Sequence, residues 1–434
     1  MREKLDSQLL IPMTVVRCLL SIVYCQPSVT LRLSSFQISI HRVKNMKREI
    51  FMTCGHHFLT MVFVFLYGTG TVCAQGNNSR LGGDDSGVTS LSERLLKVEK
   101  HSDAFNVFLN MHASYQERFN GDEEGGSFKG RQLRLEMKGT FDDHWSYRLR
   151  YRLNRPGEQQ DDNFSNNIDF MQVNYKVNDH WRLTAGKKEL SLGGFEFDYN
   201  PIQVIEYSDF VNGLAEFHVG AQVAFTPVKG HDLQLEVFNA NNNSLGKAYP
   251  GADLKGSKHP LGTTFNWTGD MLGGKLQTLW AYTYMHEAHR TDTHYLMLGQ
   301  KLNLKRWQWF VDYYAAWENA DRHGLVSSET GGVARNVNYN SVISELHYQP
   351  ASHWNCFVKG GVETASMRND ATFKNYRTSY TYQAAVQWIP DLSQDAKISL
   401  AYVGKKVDYK EACGLKDYNT DRIELSLIYR IKLY

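Results

Sequence analysis

The chain has 434 residues, 42% of them hydrophobic, 22% charged and 13% aromatic, with a formal charge of +2 and a mean hydropathy of −0.45. That hydropathy excludes a bundle of membrane-spanning helices, each of which needs about 20 apolar residues, and the near-zero charge gives nucleic acid no basic surface to bind. Six cysteines without paired CxxC spacing rule out a disulfide framework or a zinc knuckle, while 24 Tyr and 22 Phe against 9 Pro favour strands over disorder.

Met46-Lys47-Arg48 opens a basic stretch, an apolar run follows over 58–66, and Val72-Cys73-Ala74 precedes Gln75. Charge, length and small residues at the cleavage positions mark 46–74 as a secretory signal peptide. A lipoprotein reading through Cys73 fits less well, because branched Val72 precedes it and Gly70 stands where an aliphatic residue is expected. Residues 1–45 form an upstream extension whose apolar stretch over 9–24 is broken by Pro12 and Arg17, so translation is expected to start at Met46. Removing 1–74 takes away more basic than acidic residues and leaves a slightly negative chain with Cys356 and Cys413. Residues 75–102 read as a periplasmic linker. Gly, Asn, Ser and Asp dominate 75–89, and Ser90-Leu91-Ser92-Glu93 is a capping box for a short helix striped by Leu91, Leu95 and Val98.

From 103 to 434 a period of two recurs to the end. Phe105, Val107, Leu109, Met111, Ala113 and Tyr115 share one face, with Phe108 the exception on the other. Trp145, Tyr147, Leu149, Tyr151 and Leu153 alternate with Ser146, Arg148, Arg150 and Arg152. The same alternation runs through 131–141, 307–317 and 380–388, and it ends with Ile423, Leu425, Leu427, Tyr429, Ile431 and Leu433. The pattern predicts about sixteen strands of roughly 9–12 residues, the length that crosses a bilayer at barrel tilt.

Connections alternate in length. Tight turns fall at 142–144, 178–180, 227–232, 273–274, 305–306, 350–353 and 390–395. Longer loops fall near 116–127, 154–167, 189–214, 239–262, 319–336, 365–377 and 406–420, with a short one near 287–293. Trp145, Trp181, Trp307 and Trp354 each follow a tight turn, which places a tryptophan girdle at one interface. A soluble sandwich also alternates, but it has no reason to set aromatics at the same end of successive hairpins. The expected fold is all-β: a transmembrane antiparallel β-barrel of about sixteen strands with short periplasmic turns and longer extracellular loops, in the bacterial outer membrane and in contact with its lipid.

The segment 128–135 (Phe-Lys-Gly-Arg-Gln-Leu-Arg-Leu), the stretch 181–189 with Leu183, Gly186 and Lys188, and the phrases Gly220-Ala221-Gln222 and Val237-Phe238-Asn239 resemble the phosphate-selective porin O and P family. The resemblance covers most of 103–434. It implies sixteen strands, a third loop folded into the pore, a homotrimer, and anions such as phosphate among the solutes. Leu190-Ser191 departs from the Pro-Phe that the family commonly carries after the third-loop lysine.

Because lipid takes the apolar face, alternation assigns Arg134, Lys138, Arg148, Arg150, Arg152, Lys176, Arg182 and Lys188 to a basic pore wall, opposed only by Glu136. Spacing of two sets neighbouring guanidinium groups roughly 7 Å apart along one wall, and such rows set the sign of the ions a pore prefers. They also serve simply to solvate a wide lumen or to pair with loop carboxylates. The loop 189–214 carries Glu189, Glu196, Asp198, Glu206 and Asp209 and no Lys or Arg. Folded inward, it would set an acidic edge against the basic wall and create a transverse field. Its aromatics Phe195, Phe197, Tyr199, Tyr207 and Phe210 serve either as the loop's own core or as a stacking surface for sugars.

No catalytic residues, metal site or cofactor are expected. His286-Glu287-Ala288-His289 lacks helical ligand spacing, and G-x-S-x-G, P-loop and G-x-G-x-x-G motifs are absent. Two functions remain. One is a water-filled porin for small hydrophilic solutes or anions. The other is a plugged barrel acting as receptor, adhesin or structural envelope protein. The linker 75–102 is too short to fill so wide a lumen, which favours the porin.

Overall fold

The computed structural model describes residues 104–120, 124–390 and 395–434. The upstream extension, signal peptide and linker helix lie outside the described residues. Within them, sixteen antiparallel strands close into one barrel in which each strand pairs with its sequence neighbours and β1 pairs with β16. The strands are β1 (Asn106–Arg118), β2 (Gly125–Thr140), β3 (Trp145–Arg152), β4 (Ile168–Lys176), β5 (Trp181–Glu189), β6 (Phe217–Val228), β7 (His231–Asn239) and β8 (Leu261–Met271). They continue as β9 (Leu276–Ala288), β10 (Thr291–Asn303), β11 (Trp307–Ala320), β12 (Arg335–Ala351), β13 (Trp354–Met367), β14 (Arg377–Trp388), β15 (Asp395–Tyr409) and β16 (Tyr418–Lys432). Closure runs from the Phe108–Lys432 pair to the Arg118–Arg422 pair, so no sheet edge is left in the membrane.

The two faces of each strand differ as the alternation requires. Along β16, Ile423, Leu425 and Leu427 are exposed on the lipid side, whereas Glu424 and Ser426 are buried inside. Trp145, Trp181, Trp307 and Trp354 are all 43–45% exposed at the strand starts that follow tight turns. Two of these turns share one construction. Asp142 Oδ1 accepts from the His144 and Trp145 amides, and Asn178 Oδ1 accepts from the His180 and Trp181 amides. The imidazoles then bond the next hairpin, His144 Nδ1 to the Lys176 carbonyl and His180 Nδ1 to the Thr226 carbonyl. His353 repeats the clip on the Ile389 carbonyl. The two amides hold the Asp142 carboxyl below the usual range.

The structure corrects two loop lengths. The strands extend into the expected loops at 116–127 and 406–420, leaving only 119–124 between β1 and β2 and 410–417 between β15 and β16. Phe108, the exception to alternation, faces inward, where Lys138 lies 5.2 Å and Arg430 3.9 Å from its ring centre. An aromatic ring between two cations is at home among inward residues. Both remaining cysteines are free.

Inward register predicts opposite results for opposite faces. Replacing Tyr147, Leu149 and Tyr151 with Arg puts three charges on the lipid side at about 2–4 kcal/mol each near the midplane. That variant should fail to give the compact band that an intact barrel shows in unheated SDS gels. Arg148, Arg150 and Arg152 changed together to Gln should retain it.

Candidate functional site

The segment between β5 and β6, residues 190–216, folds into the barrel. It carries two short helical turns, α1 (Phe195–Asp198) and α2 (Asp209–Asn212). Its first half packs Leu190, Leu192, Phe195 and Phe197 against the inner faces of β9 to β11, including Met285, Met297, Phe310 and Tyr314. Gly193 and Gly194 permit this closeness, since a Cβ on the first would overlap the Met297 carbonyl oxygen and on the second the Tyr314 ring. Farther along, Ile202 and Ile205 pack against Phe357, Ala385, Ala401, Val403 and Ile428 on β13 to β16. The loop aromatics therefore form a packing core.

Wall side chains satisfy the amides of this irregular backbone. Asp312 accepts from the Phe195 and Glu196 amides at 2.9 and 2.8 Å. Glu363 accepts from the Asp209 and Phe210 amides at 2.8 and 3.0 Å. Hydrogen bonds to charged groups contribute about 1.5–3 kcal/mol each, so the two carboxylates fix both turns to the wall. Neither was legible as an anchor in the sequence; an isolated carboxylate among inward apolar residues (Asp312 between Phe310 and Tyr314) is the signal that exists.

The acidic loop residues do not face the basic wall as an open edge. Glu196 is buried and bonds Lys359 Nζ at 2.6 Å and both the amide and hydroxyl of Ser208. Glu206 pairs with Arg422 at 2.6 Å and with Arg131 at 3.6 Å. Asp209 pairs with Arg377 and Lys405; burial pushes its carboxyl up, but these two cations outweigh that and hold it below the usual range. Three of the five carboxylates anticipated for a transverse field thus dock the loop on β13 to β16 and β2. Asp198 lines the cavity described below, as does Glu189 at the base of the loop. Glu216, at the other end of the loop, is pushed up by burial against the pull of Arg152 and Arg134.

The basic residues of β2 to β5 divide by depth. A bulge in β4 pairs Arg150 with Phe170 and Tyr151 with Ile168, leaving Asp169 as the extra residue. Asp169 and Phe170 consequently both turn inward, which strict alternation does not allow. Asp169 is wholly buried and takes Arg134 at 3.1 Å, Arg150 at 2.9 Å and Arg152 at 2.5 Å. Glu136 takes Arg148 at 2.7 Å and Arg430 at 3.8 Å. Phe170 and Phe217 interleave the cations, with Arg148 3.9 Å from the Phe170 ring centre and Arg152 5.3 Å from that of Phe217. Glu136 is therefore not the sole opposing carboxylate. Lys188 is buried on Glu236 at 2.6 Å, and Arg182 meets Asp232 at 3.1 Å. Lys138 covers Phe108, while Lys176 is exposed at the periplasmic mouth beside Asp179.

With the loop pressed onto β9 to β16, a cavity of about 300 Å3 opens against β3 to β9 on the periplasmic half, reached by Arg148, Arg182 and Lys188. Among the described residues no group of three or more His, Cys, Asp or Glu is arranged to hold a metal ion; His286 instead pairs with Asp292 and Glu287 with Arg322.

A closed sixteen-stranded barrel with an inturned third loop is the architecture of outer-membrane porins. Residues 105–431 match the family described as phosphate-selective porin O and P. The chain belongs to this family. No curated protein matches the sequence. Among solved structures, the outer membrane channel DcaP of Acinetobacter baumannii superposes with a TM-score of 0.56 at 10% identity, covering 77% of this chain and 99% of that one. OmpF of Salmonella typhi, solved with daunomycin, gives 0.51 at 9% identity over 77% and 99% of the two chains. A loop-deleted OmpT of Vibrio cholerae gives 0.50 at 10% identity over 75% and 99%. Identities this low carry the fold alone. Family and fold together make this porin a bacterial outer-membrane channel for small solutes, a channel rather than an enzyme.

Removing the hub of the arginine cluster tests its structural weight. Asp169→Ala leaves Arg134 and Arg150 buried without their carboxylate, a loss of about 3–5 kcal/mol for a broken buried pair. The unfolding midpoint in urea should fall accordingly, and Asp169→Glu should recover part of it.

Proposed function

We propose that the pore passes small hydrophilic solutes with a preference for anions. The observation that carries this reading is the sharing of one buried carboxylate by three guanidinium groups, so that Asp169 cannot neutralise Arg134, Arg150 and Arg152 together. Arg148 and Arg430 likewise share Glu136. The wall of β2 to β4 keeps a surplus of positive charge, and a low-dielectric rim strengthens its field. Arg148, Arg152 and Arg182 retain part of their surface toward the lumen. Lys138, level with Arg148 on the neighbouring strand, adds to this charge, whereas Lys176 and Lys188 are paired with Asp179 and Glu236. Small anions, phosphate among them, are the solutes this surplus favours. Family membership supports assembly as a homotrimer in outer-membrane lipid.

A plugged barrel serving as receptor, adhesin or envelope structure is favoured by one feature, the apolar packing of the loop over β9 to β16. The cavity beside β3 to β9 argues for a path on the other side. Single-channel recording in a planar bilayer separates the two, because a plugged barrel passes no steady ion current.

Replacing Arg148, Arg150 and Arg152 together with Gln should move the reversal potential in a KCl gradient toward cations. Asp169 then keeps only Arg134, Glu136 only Arg430, and Glu216 loses Arg152, so the balance of the wall shifts toward negative charge. The shift should shrink with salt, because the Debye length falls from about 10 Å at 0.1 M to about 3 Å at 1 M. Unchanged selectivity would take these arginines out of the conduction path.

A further inference from the structure

The periplasmic-side cavity differs in chemistry from the arginine cluster above it. Six consecutive strands each give it at least one amide or hydroxyl side chain, among them Gln172 on β4, Thr184 on β5, Gln222 on β6, Gln234 on β7, Thr268 on β8 and Gln277 on β9. Three of its four Lys and Arg side chains are engaged with wall carboxylates, Arg148 with Glu136, Arg182 with Asp232 and Lys188 with Glu236, and the fourth, Lys301, stands 4.6 Å from the Phe195 ring centre. The amides form a chain of their own. Gln222 donates to Gln234 at 2.5 Å and to Ser191 at 2.9 Å, Gln234 donates to Asp232 at 2.6 Å, and Gln277 donates to Asp270 at 2.6 Å. Gln172 donates to Asn174 at 3.2 Å, and its buried Oε1 has no hydrogen-bond partner. The inturned loop adds apolar surface from Leu190, Phe195 and Phe197, beside Ser191 and Asp198.

We propose that this cavity is a subsite for a neutral polyhydroxy solute, a mono- or disaccharide. Sugar hydroxyls both donate and accept, and a carboxamide offers two donors beside an acceptor oxygen with two lone pairs. A ladder of amides therefore meets a ring of hydroxyls at several angles, while the apolar loop face receives the C–H face of the sugar. A volume of about 300 Å3 stands at the lower bound of small-molecule sites, roughly 300–1,000 Å3. An anion gains little from Arg148, Arg182 and Lys188, since each is paired within the wall, and Lys301 lies against the Phe195 ring. Weak binding on such a ladder also suits transport, which needs a site that admits a solute and then releases it. The inference rests on the channel reading, but not on the anion preference.

The test is single-channel recording of the purified porin with glucose or sucrose added on the periplasmic side. A polyethylene glycol of matching hydrodynamic size is the control. The sugars should interrupt the ion current with a saturable concentration dependence that the polymer lacks. Gln222→Leu combined with Gln234→Leu should weaken that block roughly tenfold, the loss expected for two hydrogen bonds. Its open-channel conductance and its compact band in unheated SDS should remain. Equal, unsaturable reduction by sugar and polymer overturns the subsite, as does a double variant that keeps the wild-type block. A wild-type preparation with no channels at all removes the porin reading itself and this inference with it. Normal channels without sugar block remove the subsite alone.

Discussion

A backbone that crosses hydrocarbon must satisfy every N–H and C=O within the protein, and this barrel does so by joining β1 to β16. Everything inside follows from that closure. Once lipid has claimed one face of each strand, the other face is left with the polar residues, and these must find partners in a narrow space. Asn110 bonds Glu136, Gln116 bonds Glu424, and His112 meets Ser426 across the β1–β16 seam. The charge clusters on Asp169 and Glu136 belong to the same lining. Their arginines are held by geometry that the closure imposes, with Phe170 and Phe217 as spacers.

The inturned loop meets the same requirement in a different way. Residues 190–216 leave the ladder and would carry orphaned amides into the lumen, so wall carboxylates accept those amides where strand neighbours cannot. Asp312 and Glu363 each take two consecutive amides at the start of a helical turn, the position where four N–H groups lack internal partners. The loop's own acids then reach the far wall, Glu196 to Lys359 and Asp209 to Arg377. Docking on both signs of charge explains why a loop without Lys or Arg sits against a wall that supplies them.

The period of two, the tight turns and the tryptophan girdle made the barrel and its strand number readable from the sequence, because lipid enforces alternation over every strand. Only the ends of β1, β2, β15 and β16 were misplaced, where strands project beyond the bilayer and polar residues continue the ladder. Site residues were readable as a class but not as pairs. Asp169 was missed because a bulge adds one residue and breaks the parity on which inward assignment depends. Lys359, Arg422 and Arg377, which hold Glu196, Glu206 and Asp209, lie more than 150 residues away in the chain, on strands whose placement only the closed barrel defines. Periodicity carries no information at that range.

Loop docking also decides where the path runs. Apolar residues of the loop and of β9 to β11 fill one side of the lumen, and the cavity lies against β3 to β10, the side along which the proposed path runs. Along that side the chemistry changes with depth. One section holds guanidinium groups that outnumber their carboxylates, and the cavity presents amides and hydroxyls beside Arg148, Arg182 and Lys188, which are paired within the wall. Arg148 belongs to both, bonded to Glu136 and stacked on Phe170 while its edge borders the cavity. A field acts over several ångströms and needs no contact, whereas hydrogen bonding requires it. On the proposed reading, arginines at the edge of the cavity and amides within it let one short path discriminate both by sign and by shape. The bulge at Asp169 buries the carboxylate together with Arg134 and Arg150, while Arg152 keeps an edge toward the lumen.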